Sequence, residues 1–139
     1  MRQCTATADV PRAALLFAVL AGQGRIYGDD LGYAPRRVRC ELGLRHEGEH
    51  ADHVWDWPDG LAPPLWARWD TGGTLRFESL PWCGSEGGRY GDACALYRDH
   101  APAHSWSVRD PDTESLRRRV LGESGPLIRW LRRKRRKRD

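Results

Sequence analysis

The chain has 139 residues, enough for one domain or two very small fused ones. Hydrophobic residues make up 40% and charged residues 30%, a thin supply for a core, and cores this small commonly need a metal or disulfides to hold them. The net charge of +4 conceals a division: residues 117–139 carry 11 Arg and Lys against Glu123 and Asp139, a net of +9, and residues 1–116 carry 12 Arg against 17 acidic residues, a net of −5. No stretch reaches the ~20 apolar residues that a bilayer crossing needs, so no membrane span is expected.

Asp9, Val10 and Pro11 predict a helix start, with Asp9 as N-cap and Pro11 in the first turn. The helix should run to Ala21, stop at Gly22 and be buried, because apolar residues surround most of it. The run from Ala13 to Ala21 resembles a secretory leader only faintly: Asp9 and Pro11 lie beside it, and cleavage would remove Cys4. A cytoplasmic protein with reduced thiols is the expectation. Arg25 to Tyr27 reads as a short strand, and Arg37, Val38 and Arg39 as a strand leading into Cys40. His53 to Trp57 alternates like a strand, and Pro58 to Gly60 reads as a turn. Leu65–Trp69 and Thr74–Glu78 flank Asp70, Thr71, Gly72 and Gly73, a hairpin signal. The Trp residues from Trp55 to Trp69 are expected to form the packed face of a sheet. Gly84 to Gly91 reads as a flexible glycine-rich link, Ser105 to Val108 as a closing strand, and Asp110 as the cap of a helix reaching Leu121 with Gly122 as its stop. Ser124, Gly125 and Pro126 restart a helix that carries the basic end.

One pattern occurs twice and, with its upstream partners, uses every cysteine. Cys40, His46 and His50 read C-x5-H-x3-H, and so do Cys94, His100 and His104. Leu42 and Leu96 lie two residues after each cysteine, an arginine (Arg45, Arg98) lies within each spacer, and a tryptophan (Trp55, Trp106) follows each copy, the marks of an internal repeat. Two Cys and two His make the ligand set of a closed tetrahedral zinc site. Gly48 and Pro102 in the middle of the His pairs argue against a helix, so each pair should lie on a turn. The second site is expected to comprise Cys83, Cys94, His100 and His104. The first comprises Cys40, His46 and His50, with Cys4 or, as a substitute, His53 as the fourth ligand. Two disulfides would also use the cysteines, but they would leave the repeated histidine offset without a purpose.

The segment from Cys40 to Trp55, with His46, Glu47, Gly48, Glu49 and His50, resembles an element of small uncharacterised proteins of high-GC actinobacteria and their phages. In those, a Cys precedes a Gly-His-x-Gly-Pro-His run and a Trp follows. Here Arg45 replaces the first Gly and Glu49 the Pro. The resemblance implies a metal knuckle and no activity.

The expected fold is α+β: a small antiparallel core pinned by two Cys2His2 zinc knuckles, with an N-terminal helix and a basic C-terminal helix. Residues 1–60 would form the first knuckle half, 61–110 the second packed upon it, and 111–139 the basic tail. No nucleophilic triad joins Tyr90, Ser105 or Ser124, and no enzyme is expected. Like-charge blocks of this kind bind nucleic acid. Arg129, Arg132, Arg133, Lys134, Arg135, Arg136, Lys137 and Arg138 are therefore expected to grip phosphates, with two structural Zn2+ ions holding the body. The alternatives are an adaptor or phage-type structural component whose tail docks on an acidic protein, and an anionic membrane surface met by Leu127, Ile128, Trp130 and Leu131.

Overall fold

In the computed structural model, residues 1–22, 32, 34–57, 60 and 62–121 are described, and they carry seven short strands and two α-helices. The chain divides into two units, Met1–Val108 and Arg109–Asp139. The expected strand at Arg25 to Tyr27, the Gly122 stop, the helix restart at Ser124 and the whole basic cluster from Arg129 to Arg138 lie outside the described residues.

In the first unit, β1 (Thr7–Asp9) pairs antiparallel with β2 (Arg37–Arg39), Ala8 opposite Val38. Asp9 is thus a strand residue, not a helix cap. The cap position of α1 (Arg12–Ala21) belongs to Pro11, whose φ of −66° suits the entry, and no side chain bonds the first turn. The Ala- and Leu-rich segment has high helix propensity. It buries one face only: Leu15 and Val19, one turn apart, are fully buried, whereas Phe17 is 73% exposed and Leu16 and Leu20 are also exposed. The expectation of burial on all sides fails: the side bearing Leu15 and Val19 is packed and the side bearing Phe17 is exposed. Gly22 ends the helix against Trp57, whose ring leaves no room for a Cβ there and whose indole N–H donates to Val19 O (3.1 Å).

The core sheet has the order β3 (His50–Trp55), β4 (Leu65–Trp69), β5 (Leu75–Ser79), all antiparallel. Asp70 closes the β4–β5 turn by accepting from Gly73 N through its carbonyl (3.1 Å) and from Thr74 N through its carboxylate (3.1 Å). The central strand β4 buries Leu65, Trp66, Ala67 and Trp69, so these tryptophans are core. Trp66 meets the rings of Tyr97 and Trp82 at 5.3 and 5.6 Å.

The Gly84–Gly91 segment is not a loose link. It forms most of a hairpin, β6 (Glu86–Gly87) against β7 (Asp92–Ala93), with Gly88 and Gly91 supplying the positive φ of its turn. Ser105–Ser107 is a single 3-10 turn rather than a closing strand, with Ser107 N bonded to His104 O. In the second unit, α2 (Pro111–Leu121) is capped by Asp110, whose carboxylate accepts from Asp112 N (3.1 Å) and Thr113 N (3.4 Å). Among the described residues no helix is long and apolar enough to cross a membrane.

Two candidate metal centres

The two C-x5-H-x3-H runs are held by the same backbone bonds. In the first, Cys4 N donates to Leu42 O (2.8 Å), Leu44 N to Arg2 O (2.8 Å), Cys40 N to Ala6 O (2.9 Å) and His46 N to Gly43 O (3.0 Å). In the second, the counterparts run from Cys83 N to Leu96 O (2.8 Å), Arg98 N to Pro81 O (2.8 Å), Cys94 N to Ser85 O (2.8 Å) and His100 N to Tyr97 O (3.3 Å). The residue after each downstream cysteine is tied alike, Glu41 N to Ala51 O and Ala95 N to Ser105 Oγ, both at 2.9 Å. The β1–β2 pairing corresponds to β6–β7.

This correspondence explains the unequal cysteine spacing. The hairpin after Cys83 closes at once, whereas the hairpin after Cys4 carries α1 at its tip. Loop-closure cost grows only slowly with length, so the longer excursion leaves the ligand positions unchanged.

The structure brings together Cys4, Cys40, His46 and His50, and separately Cys83, Cys94, His100 and His104, the ligand atoms of each group all lying within 4.8 Å of one another. All four cysteines are free of disulfides. Cys40 Sγ lies 3.5 Å from His46 Nε2 and Cys4 Sγ 3.6 Å from His50 Nδ1; Cys94 to His100 Nε2 and Cys83 to His104 Nδ1 repeat those distances at 3.5 and 3.6 Å. A tetrahedral ion with Zn–S of about 2.3 Å and Zn–N of about 2.05 Å has S···N edges of about 3.6 Å. The rings are oriented from behind: Nδ1 of His46 faces Glu47 O (3.3 Å), and Nδ1 of His100 faces Ala101 O (2.6 Å). Donating those N–H groups leaves each Nε2 lone pair facing the centre.

Cys4 is the fourth member of the first group. His53, the substitute, turns away to Asp56 Oδ1 (3.2 Å) and packs between Trp66 and Trp82. No helix joins the paired histidines, as Gly48 and Pro102 required: each pair brackets a bend, with His50 opening β3 and His104 preceding the 3-10 turn. The repeated tryptophans are not equivalent: Trp106 stacks on His104 (4.4 Å, 22°), but the ring beside His50 is Trp69 of β4 (5.5 Å), not Trp55.

The centres differ in their surroundings. Burial, partly offset by hydrogen bonds from the Ala51 and Leu42 backbone, pushes the Cys40 thiol up to about 12. A bound cation reverses that preference, since a coordinating thiol is deprotonated outright. Burial, then neighbouring His46, holds His50 below the ordinary imidazole value, which favours the neutral ring that a metal needs. Beside this centre, burial and Asp52 push the Glu41 carboxyl up to about 8. Glu49, between the two histidines, pairs with Arg68 (3.0 Å) and Arg76, both of which also reach Glu78. The Arg68 guanidinium lies 5.4 Å from the centre of the Tyr97 ring in the second knuckle. Sequence reasoning missed this network, because charged residues at these spacings look the same on any solvated strand.

In the second centre, the Ser85 hydroxyl and backbone hold the Cys83 thiol below its ordinary value. Its knuckle puts positive φ on Asp99 (62°) and Ala103 (109°), whereas the first has its positive φ on Gly48 (79°), the counterpart of Pro102. Such a φ at Ala103 costs on the order of 1–3 kcal/mol. No family model, curated protein or solved structure matches this chain.

Proposed function

We propose that the protein is a double zinc-knuckle accessory or regulatory factor that binds nucleic acid through its basic C-terminal segment. The observation that carries the metal part is the pair of matched tetrads, whose S···N edges agree with those of a tetrahedral zinc ion. Both zincs are structural, four protein ligands closing each shell. With the ions bound, the sulfurs are thiolates, and binding energy becomes folding energy for a thin core.

The nucleic-acid part is supported by charge. Eight basic residues between Arg129 and Arg138 follow an acidic body, and counterion release from phosphates drives such association. Elemental analysis should give two zinc ions per chain, and cobalt substitution should give the spectrum of two S2N2 tetrahedra. Binding to duplex DNA or RNA should weaken with salt along a log–log slope of up to about −7, and deletion of 129–139 should abolish it. Undiminished binding by that truncation would refute the nucleic-acid reading without touching the metal reading.

The second reading, a protein-binding adaptor, is favoured by one observation, the exposed Leu16, Phe17 and Leu20 of α1. Salt-resistant association of the full chain with a protein, lost on Phe17→Ser, would favour it.

A further inference from the structure

The two centres share a ligand set and differ in access. Cys4, Cys40 and Cys94 are 6%, 0% and 4% exposed, and Cys83 is only half-buried. The first centre is backed by the core: His50 packs on buried Trp69, and Glu49 is latched by Arg68 and Arg76. The second lies under a hairpin whose residues are largely exposed and is covered by Trp106, which stacks on His104 and crowds Gly87 and Gly88. Its knuckle also holds Ala103 at a φ that would relax once the ligands let go.

We propose that the second centre is an exchangeable, oxidant-responsive site: hydrogen peroxide converts Cys83 and Cys94 to a disulfide and releases that zinc, while the first centre keeps its ion. This rests on the two-ion reading above. The half-buried Cys83 thiolate, the more accessible of the pair, attacks the O–O bond, which breaks to give a sulfenic acid and, with one proton, water. The Cys94 thiolate then attacks the Cys83 sulfur, the S–S bond forms, and with a second proton a second water leaves. Two sulfurs are oxidised by two electrons in all, the peroxide is reduced, and the divalent ion departs because its two anionic ligands are gone. In both centres the two sulfurs lie within 4.8 Å of each other, within reach of a disulfide after a small shift, and the exposure of Cys83 is what sets the second centre apart. The released knuckle is the last stretch of the first unit before the chain enters the second at Arg109.

The test uses the full chain loaded with two zinc ions, a chromophoric chelator to time their release by hydrogen peroxide, and peptide mapping of the cysteines. One equivalent should leave about tenfold faster than the other, with a Cys83–Cys94 disulfide formed in the fast phase. Cys83→Ser should lose the fast disulfide, and the wild-type map decides the matter if that variant does not fold. Equal release rates, or a Cys4–Cys40 disulfide formed first, would overturn the inference and leave the two-ion reading standing. A chain that takes up no zinc would end both.

Discussion

Arg68→Met tests whether the ion network on the sheet holds the first knuckle. Arg68 is 21% exposed at its side chain, lies 3.0 Å from both Glu49 and Glu78, and rests over Tyr97 at 5.4 Å. A fully exposed pair contributes about 0–1 kcal/mol, and breaking a fully buried one costs about 3–5 kcal/mol. At one-fifth exposure the two pairs and the ring contact together should cost about 2–3 kcal/mol, with roughly 0.5–1 kcal/mol of it from the ring. Met keeps the apolar stem, so the loss is electrostatic. The assay is urea unfolding in excess zinc, paired with a zinc competition titration. Because Glu49 sits between His46 and His50, affinity at the first centre should fall about tenfold while the second changes little. Combining Arg68→Met with Glu49→Gln should show coupling of about 1–2 kcal/mol. A stability change under about 0.5 kcal/mol, or equal affinity losses at both centres, would refute the argument that this network positions the knuckle.

Gly22→Ala should destabilise the protein by about 1–3 kcal/mol, because the new Cβ overlaps the Trp57 ring and threatens its bond to Val19 O; thermal melts with Trp fluorescence read this directly. Glu41 is raised by burial and Asp52 to about 8, above its unfolded value near 4.5. The sign follows: the contribution of this one group to stability is fully present below about pH 4.5 and is lost as pH rises through about 8. Glu41→Gln should therefore gain on the wild type by on the order of 2 kcal/mol between pH 6 and pH 9 in urea midpoints, proton competition at the metals cancelling in the difference. A pH-independent difference would show that the carboxyl is already ionised. Trp66→Ala removes a side chain with no exposed surface and should cost about 3–5 kcal/mol, enough to leave little folded protein at 37 °C by circular dichroism.

Local chemistry made the ligands legible. Cys and His at a repeated offset, with Gly48 and Pro102 forbidding a helix between each His pair, identify the knuckles without any knowledge of packing, and the β4–β5 hairpin follows from Asp70, Gly72 and Gly73 in the same way. These signals are short-range, because spacing and backbone preference are properties of neighbouring residues. The rest depended on which segments meet. Cys4 rather than His53 completes the first centre because β1 pairs with β2 across the excursion that carries α1, and nothing near Cys4 in sequence announces that partner. The one-sided burial of α1, the choice of Trp69 over Trp55 beside His50, and the Glu49–Arg68–Tyr97 line were likewise decided by long-range packing. Apolar and charged residues carry the same local signature whether or not a neighbour arrives to cover or pair them, so only the folded chain distinguishes the cases.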